Sequence, residues 1–449
     1  MTEPRATHGL SAVDRAHALR LAKPPKQEDA LRLAAASLTA SPEDLGAVWL
    51  VSRLLLDAGR TEPAGALAAY GTEASLRRGE LASAWLCAQL ALEAGGYADD
   101  ALRRIAEAFG AGSKRLSDAP PAPPPLPADG PIPPLFASAS GAALLDAAEK
   151  AARRAAEHKH ALPADAPVPR VPLFSALPPA QLLRLLNVLQ LREAPSGEHV
   201  LKQGDEGREA FLLARGVLNV VREDAKHMAS AAAAGGDALL AVLGPGALFG
   251  EMALVSDAPR AASVVAVEAA QLLAMPKQAL EALAHEDTAI GRELGRFCHD
   301  RMLANLMRHS AVLAAVPSQS RGDLLGRFGS SVFEPGQKLV HEGEDQGMLY
   351  LLASGRVRVL GRDAEGDQVL IAQLGPGDVV GEISLVLRRP ANADVVATHR
   401  TVCLTLSRDA LHEAMREHPA LLAQLYDIAV KRDDETRSVV AQAAVEVLL

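Results

Sequence analysis

"FGEMALVSDAPRAASVVA" runs from Phe249 to Ala266, and "VGEISLVLRRPANADVVA" runs from Val380 to Ala397. They are one pattern written twice, until Pro259-Arg260-Ala261-Ala262-Ser263 meets Pro390-Ala391-Asn392-Ala393-Asp394. The first copy can cradle an anion. Its glycines let the backbone bend and approach a ligand at no steric cost, and the stretch from Gly250 through Met252 and Ala253 offers backbone N–H groups to negative charge. Arg260 adds a planar fork of donors that matches two phosphate oxygens. Glu251 suits a sugar hydroxyl, Ala261 and Ala262 leave room, and Ser263 offers a hydroxyl. The second copy keeps Gly381, Glu382 and Pro390 but puts Ala391 in place of Arg260 and Asp394 in place of Ser263. Losing hydrogen bonds to a charged group costs about 1.5–3 kcal/mol, roughly one to two orders of magnitude in affinity, and Asp394 adds repulsion. Arg388 and Arg389 lie just upstream, where a solvated loop tip is their expected place.

The repetition reaches well beyond these stretches. "LKQGDEG" (Leu201–Gly207) is answered by "VHEGEDQG" (Val340–Gly347), "FLLARGVLNVV" (Phe211–Val221) by "YLLASGRVRVL" (Tyr350–Leu360), and "LGPGALFGE" (Leu243–Glu251) by "LGPGDVVGE" (Leu374–Glu382). The offset is 139 residues at the early matches and 131 at the late ones, which places about eight extra residues in the first copy. "HMASAAAAGGDA" is their expected position, as an enlarged hairpin loop. Short β-rich runs between glycine turns, followed by helices near Pro276 and after Ser407, predict two homologous β domains in tandem.

The first stretch resembles the phosphate-binding cassette of the cyclic nucleotide-binding domain family. The likeness runs from Leu173 to about Ser310, with "PLFSALP", "QGDEG" and "LGPG" in place, and a second copy runs from about Ala311 to the C-terminus. The resemblance implies an eight-stranded, jelly-roll-like β-roll with flanking helices. It also implies Glu251 for the ribose 2′-hydroxyl, Arg260 for the cyclic phosphate, and Phe249, Gly250, Met252, Ala253, Ala261, Ala262 and Ser263 for the rest of the cradle. In this family a Thr directly after the Arg goes with cGMP; Ala261 there points to cAMP, with cGMP the alternative. The family commonly closes its site with a base-capping residue from the following helix, for which Phe297 is the candidate, although an aromatic on an amphipathic helix is more often core.

Outside the rolls, "VWLVSRLLLDAG" (Val48–Gly59) matches "AWLCAQLALEAG" (Ala84–Gly95) at an offset of 36, each followed by a second helical stretch closing on "AAYG" or "EAFG". Helix, turn, helix at such a period predicts stacked helical repeats, and the region resembles tetratricopeptide repeats; an ordinary helical bundle is the alternative. Residues 1 to about 40 carry little signal. "SDAPPAPPPLPADGPIPPLF" (Ser117–Phe136) reads as a semi-rigid polyproline linker. A helix follows, and "ALPADAPVPRVP" breaks it. The expected organisation is therefore an all-α region (1–116), a linker with one helix (117–170), a roll with an intact cassette (171–310) and a roll with a degenerate one (311–449).

A net charge of -9 argues against a protein that coats nucleic acid or anionic membrane. There is no secretory h-region and no apolar run of spanning length. The three distant cysteines, Cys87, Cys298 and Cys403, fit buried thiols in a reducing compartment. The expectation is a soluble, cytoplasmic protein. No catalytic constellation, metal-ligand spacing, cofactor motif, P-loop or DNA-reading helix-turn-helix is evident, so it is not read as an enzyme. "ARRAAEH" (Ala152–His158) resembles the inhibitor stretch of cAMP-dependent kinase regulatory subunits, except that Glu157 stands where that stretch needs an apolar residue. The sequence thus reads as a cyclic-nucleotide receptor passing its signal to a protein partner, with the helical repeats as the expected route. A ligand-free scaffold and a kinase-type regulatory subunit are the competing readings.

Overall fold

The computed structural model describes residues 10–96, 98–118, 132–222, 238–254, 259–345, 347–362 and 366–446. The chain forms two compact units, Met1–Glu251 with Arg260–Leu294, and Met252–Pro259 with Gly295–Leu449. The first unit opens with α1 (Ala12–Leu21), α2 (Gln27–Ala40), α3 (Leu45–Asp57), α4 (Thr61–Arg78), α5 (Leu81–Glu93) and α6 (Ala98–Phe109). There follow β1 (Leu116–Ser117), α7 (Pro134–Ser138), α8 (Gly141–Ala156) and β2 (Val168–Pro169), with β1 and β2 paired in parallel.

The matched stretches become α3 and α5, and Trp49 and Trp85 are both buried. Each helix stops at a glycine, Gly59 and Gly95, with φ of 78° and 88°, values that suit only glycine. The second helices depart from the reading. The last one does end beside "EAFG", but α4 runs straight through Gly71 and stops at Gly79 (φ 74°). Gly71 is a contact glycine and not a terminator: a Cβ there would lie 2.6 Å from Val48 Cγ1 and 2.8 Å from Cys87 Sγ, so its lack of a side chain lets α3, α4 and α5 pack closely. The first 40 residues also hold more structure than their composition suggests. Ser11 caps α1 by accepting from the Asp14 N–H; α1 buries Val13, Ala16 and His17, and α2 buries an Ala-rich face. Most of the expected proline linker lies outside the described residues; its end forms α7, where Phe136 is buried.

The first roll comprises α9 (Pro179–Val188), β3 (Gln190–Ala194), β4 (His199–Leu201), β5 (Glu209–Arg215), β6 (Leu218–Arg222), β7 (Ala238–Leu243), β8 (Leu248–Phe249), β9 (Ser263–Ala266), β10 (Ala270–Pro276) and α10 (Lys277–Glu286); α11 (Thr288–His309) follows, belonging to this unit up to Leu294 and to the other from Gly295. Its two antiparallel sheets run β3-β10-β5-β8 and β4-β9-β6-β7. Phe211, Leu213, Leu218, Phe249, Val264 and Leu272 form the core between them. The expected insertion "HMASAAAAGGDA" lies almost wholly outside the described residues.

The second roll has α12 (Ala311–Ala314), α13 (Arg321–Leu325), β11 (Gly329–Phe333), β12 (Lys338–Val340), β13 (Met348–Ser354), β14 (Val357–Arg362), β15 (Gln368–Leu374), β16 (Val379–Val380), α14 (Glu382–Val386), β17 (Asp394–Ala397), β18 (Thr401–Ser407), α15 (Arg408–Glu417) and α16 (Pro419–Glu446). Its sheets, β11-β18-β13-β16 and β12-β17-β14-β15, repeat the order of the first roll strand for strand. The three cysteines are free and buried, and burial pushes the Cys87 and Cys403 thiols up to about 12, which makes both inert as nucleophiles near neutral pH. Among the described residues no helix is long and apolar enough to cross a membrane.

Within the first unit the helical region rests on the roll through charge. Glu193 of β3 accepts from His17 Nε2 (2.9 Å) and from Arg20, and Arg215 of β5 donates to Asp14 Oδ1 (2.8 Å). Burial raises the Glu193 carboxyl, but the bonds from His17 and Arg20 outweigh it and leave it at about 2. Burial lowers His17, aided by Arg215 and Arg20 and opposed only by Glu193, so the folded imidazole is held neutral. Both groups bind protons more readily unfolded than folded. Their contributions are therefore complete above pH 6.5 for His17 and above pH 4.5 for Glu193, and both are lost on acidification. The urea midpoint of the first unit should fall as pH drops from 7 to 5, and Glu193→Gln plus His17→Gln should flatten that slope.

Candidate functional site

Strand β8 ends at Phe249, whose ring stacks on Phe211 in the roll core (centroids 5.5 Å apart). This fixes the place where the chain turns. Gly250 takes φ +77°, and a Cβ there would come within 3.2 Å of Glu209 O and 3.3 Å of Arg260 Nη1. Both conformation and space require glycine. A 3₁₀ turn, Glu251–Leu254, follows, and Glu251 is only 4% exposed.

Arg260 is 8% exposed and held at every level. Its N–H donates to Asp205 O (2.8 Å) and its carbonyl accepts from Gly204 N–H (3.0 Å), which ties it to the "QGDEG" turn. Its guanidinium donates through Nη1 to Gly250 O (2.9 Å) and through Nη2 to Glu209 O (2.6 Å). Burial lowers its basicity while the carboxylates of Glu209 and Glu251 oppose the change; a guanidinium remains cationic at neutral pH all the same. Ser263 is fully buried and its Oγ accepts from the Gln203 N–H (2.9 Å), closing the same turn from β9. A buried cation thus lies beside a buried carboxylate, a pair able to meet an anionic group and a hydroxyl together.

The second roll keeps the backbone and changes the charges. Ala391 N–H donates to Glu344 O (2.9 Å) and Ala391 O accepts from Gly343 N–H (2.8 Å), the same two bonds that Arg260 makes. Asp394 takes over the task of Ser263, accepting from the Glu342 N–H at 3.0 Å. Its charge is met by Lys338 Nζ at 2.7 Å. Burial raises the Asp394 carboxyl, but the Lys338 bond and the Glu342 N–H win and hold it below its usual range. Glu382, buried like Glu251, receives Arg432 of α16 at 3.0 Å, and Arg432 also reaches Val379 O. Asp433 beside it binds Asn392 Nδ2 (3.0 Å) and Arg389 (3.1 Å). The space left between the strands and α16 is about 100 Å³, lined by Val359, Ile371, Leu374, Glu382 and Arg432. Small-molecule sites run to about 300 Å³ and more. The protein's own C-terminal helix occupies this cassette.

Of the nine cradle candidates, Phe249, Gly250, Glu251, Arg260, Ala261, Ala262 and Ser263 belong to the first unit, while Met252 and Ala253 fall with the second, Met252 packing against that unit's core. Phe249 serves as a core side chain that positions Gly250. Phe297, the base-cap candidate, is buried in the second unit's part of α11. Arg389, expected at a solvated tip, pairs with Asp433 despite its exposure. "ARRAAEH" is helical almost throughout, with Ala152 and Ala155 buried in α8, and an extended-peptide cleft would have to unwind it. Sequence reasoning missed Arg432 and Asp433. The available signal was Glu382 itself, because a buried carboxylate that has lost its cassette cation needs another one. Among the described residues no group of three or more His, Cys, Asp and Glu side chains is arranged to hold a metal.

Two eight-stranded rolls of the same strand order, each with a glycine–glutamate turn after its short strand β8 or β16, define a tandem β-roll class. The family model of the cyclic nucleotide-binding domain matches residues 191–287 and 331–418, so the chain carries two copies of that domain. Among curated proteins, the chain is similar to a cAMP-dependent protein kinase regulatory subunit of Yarrowia lipolytica (28% identical, 54% of this chain, 58% of the relative). It is also similar to the type II regulatory subunit of Drosophila melanogaster (29%, covering 53% and 57%). The chain thus spans somewhat over half the length of the curated relatives it matches. Among solved structures, the regulatory domain of Toxoplasma gondii PKA with cAMP is 22% identical over 56% of this chain and 89% of that one, with a TM-score of 0.27.

Proposed function

We propose that the protein is a cytoplasmic cyclic-nucleotide receptor that binds one nucleotide, in the first roll, and signals to a protein partner. The observation that carries this reading is Arg260, a buried guanidinium held by two backbone carbonyls in a cassette that the second roll copies bond for bond without it. Arg260 takes the cyclic phosphate and Glu251 the ribose hydroxyl, with Gly250, Ala261, Ala262 and Ser263 shaping the cradle. Ala261, where the family's cGMP binders carry Thr, favours cAMP over cGMP. The second roll holds its own helix and serves contacts. The protein acts by binding and carries out no reaction, with the helical region as the route to the partner. The names of the relatives make a kinase one candidate partner, and the helical state of Ala152–Ala156 weighs against inhibition of it through that stretch.

Calorimetry of the full chain with cAMP and with cGMP tests this. One site per chain, tighter for cAMP, is expected. Two sites would show that the second cassette is open, and no heat with either nucleotide would sink the receptor reading.

A further inference from the structure

Three adjacent strands of the first roll carry a polar row. In the sheet register Gln271 of β10 stands opposite Glu193 of β3 on one side and Arg215 of β5 on the other. Gln271 is 2% exposed and donates to Glu193 at 3.3 Å. A charged row across a sheet face needs a partner when buried, and helix α1 supplies it: Asp14 to Arg215, His17 and Arg20 to Glu193. Helix α3 contributes space, since a Cβ on Gly46 would lie 1.2 Å from Arg215 Nη1.

The second roll is an internal control. At the same three places, in the same register, it has Val332, Val402 and Ser354, and Val332 is 45% exposed. The β-roll therefore folds without this row, which belongs to the contact with α1.

Strand β5 joins the row to the cassette. At one end Glu209 O accepts from Arg260 Nη2 (2.6 Å); at the other, six residues and about 20 Å away, Arg215 holds Asp14. The guanidinium that receives a phosphate is thus spent, in this state, on fixing the end of the strand that anchors the helical region. A phosphate competing for that fork would take Arg260 Nη2 from Glu209 O and remove a hydrogen bond that holds this end of β5.

We propose that the helical region is latched to the first roll through the Glu193–Gln271–Arg215 row, and that nucleotide capture at Arg260 loosens this latch through β5. This rests on the receptor reading above and assigns its output: the surface freed is α1 with the face of the roll beneath it. Linkage is reciprocal, so breaking the latch must tighten nucleotide binding.

The test uses the full chain, with Arg215→Ser, which installs the second roll's own residue, and Gly46→Ala, which displaces the Arg215 side chain from outside the roll. Hydrogen exchange of α1 amides is followed with and without cAMP, and cAMP affinity is measured by calorimetry. The expected result is faster exchange across α1 on adding cAMP to wild type, and affinity about fivefold or more tighter in both variants. The proposal is overturned if cAMP binds wild type with α1 exchange unchanged or slowed, or if both variants, folded by circular dichroism, bind within twofold of wild type. Absence of cAMP binding in every protein would remove the receptor reading and this inference together, whereas binding without an α1 response removes this inference alone.

Discussion

Arg260→Ala is expected to weaken cAMP binding by about a hundredfold while leaving the first roll folded. On the proposed receptor reading the guanidinium is the cation that meets the phosphate, and hydrogen bonds to a charged group are worth about 1.5–3 kcal/mol. Removing them, and exposing the phosphate to the nearby carboxylates of Glu251 and Glu209, puts the loss toward the upper end of one to two orders of magnitude. The second roll shows why the fold survives: Ala391 keeps both backbone bonds of this position with a methyl side chain. Arg260→Lys separates charge from geometry. An ammonium keeps the cation but cannot offer two phosphate oxygens the planar pair of donors that the fork does, so an intermediate loss is expected. Calorimetry gives the affinities, and unchanged thermal unfolding of the alanine variant shows that the loss is local. Equal binding by wild type and Arg260→Ala would place the nucleotide elsewhere.

The degenerate cassette was legible in the sequence as a loss and only partly as a replacement. Period-2 runs and glycine turns repeated at fixed offsets prescribe two rolls, because strand register and positive-φ turns are local demands that sequence must meet. The missing cation at Ala391 is visible in the same way. What replaces it is not, since Arg432 lies 41 residues downstream on a helix whose docking is decided by tertiary packing. Asp394 looked like a repelling charge; in the fold it closes the turn as Ser263 does and is neutralised by Lys338. Gly71 read as a helix end because glycine breaks helices on average, and the close approach of Val48 and Cys87 that overrides this average has no local signature. Helix α1 is the largest omission. Its cap, Ser11 with Asp14 three residues on, is a recognisable helix start, but the polar row it serves sits about 180 to 260 residues away in the chain.

Trp85→Ala is expected to destabilise the first unit by about 3–5 kcal/mol, the range for removing a large buried aromatic. Trp85 is 3% exposed, and its Nε1 donates to Leu186 O at 2.9 Å. That carbonyl lies in the last turn of α9, where helix carbonyls have no partner within the helix. The indole therefore fills the helical region's core and caps a helix of the roll at once. Its repeat partner fills a different role. Trp49 is equally buried, but its Nε1 has no hydrogen-bond partner among the described residues, and its ring instead meets Arg20 (5.3 Å) and the edge of His17 (6.1 Å). Replacement by Phe distinguishes the two. Trp85→Phe strands the Leu186 carbonyl and should cost about 1–3 kcal/mol beyond the volume change; Trp49→Phe loses no hydrogen bond and should cost clearly less. Urea unfolding followed by far-ultraviolet circular dichroism measures the difference. The chain has only these two tryptophans, so each single variant leaves one fluorescent reporter of the same unit. Equal midpoints for the two Phe variants would show that the capping bond contributes nothing to holding the helical region on the roll.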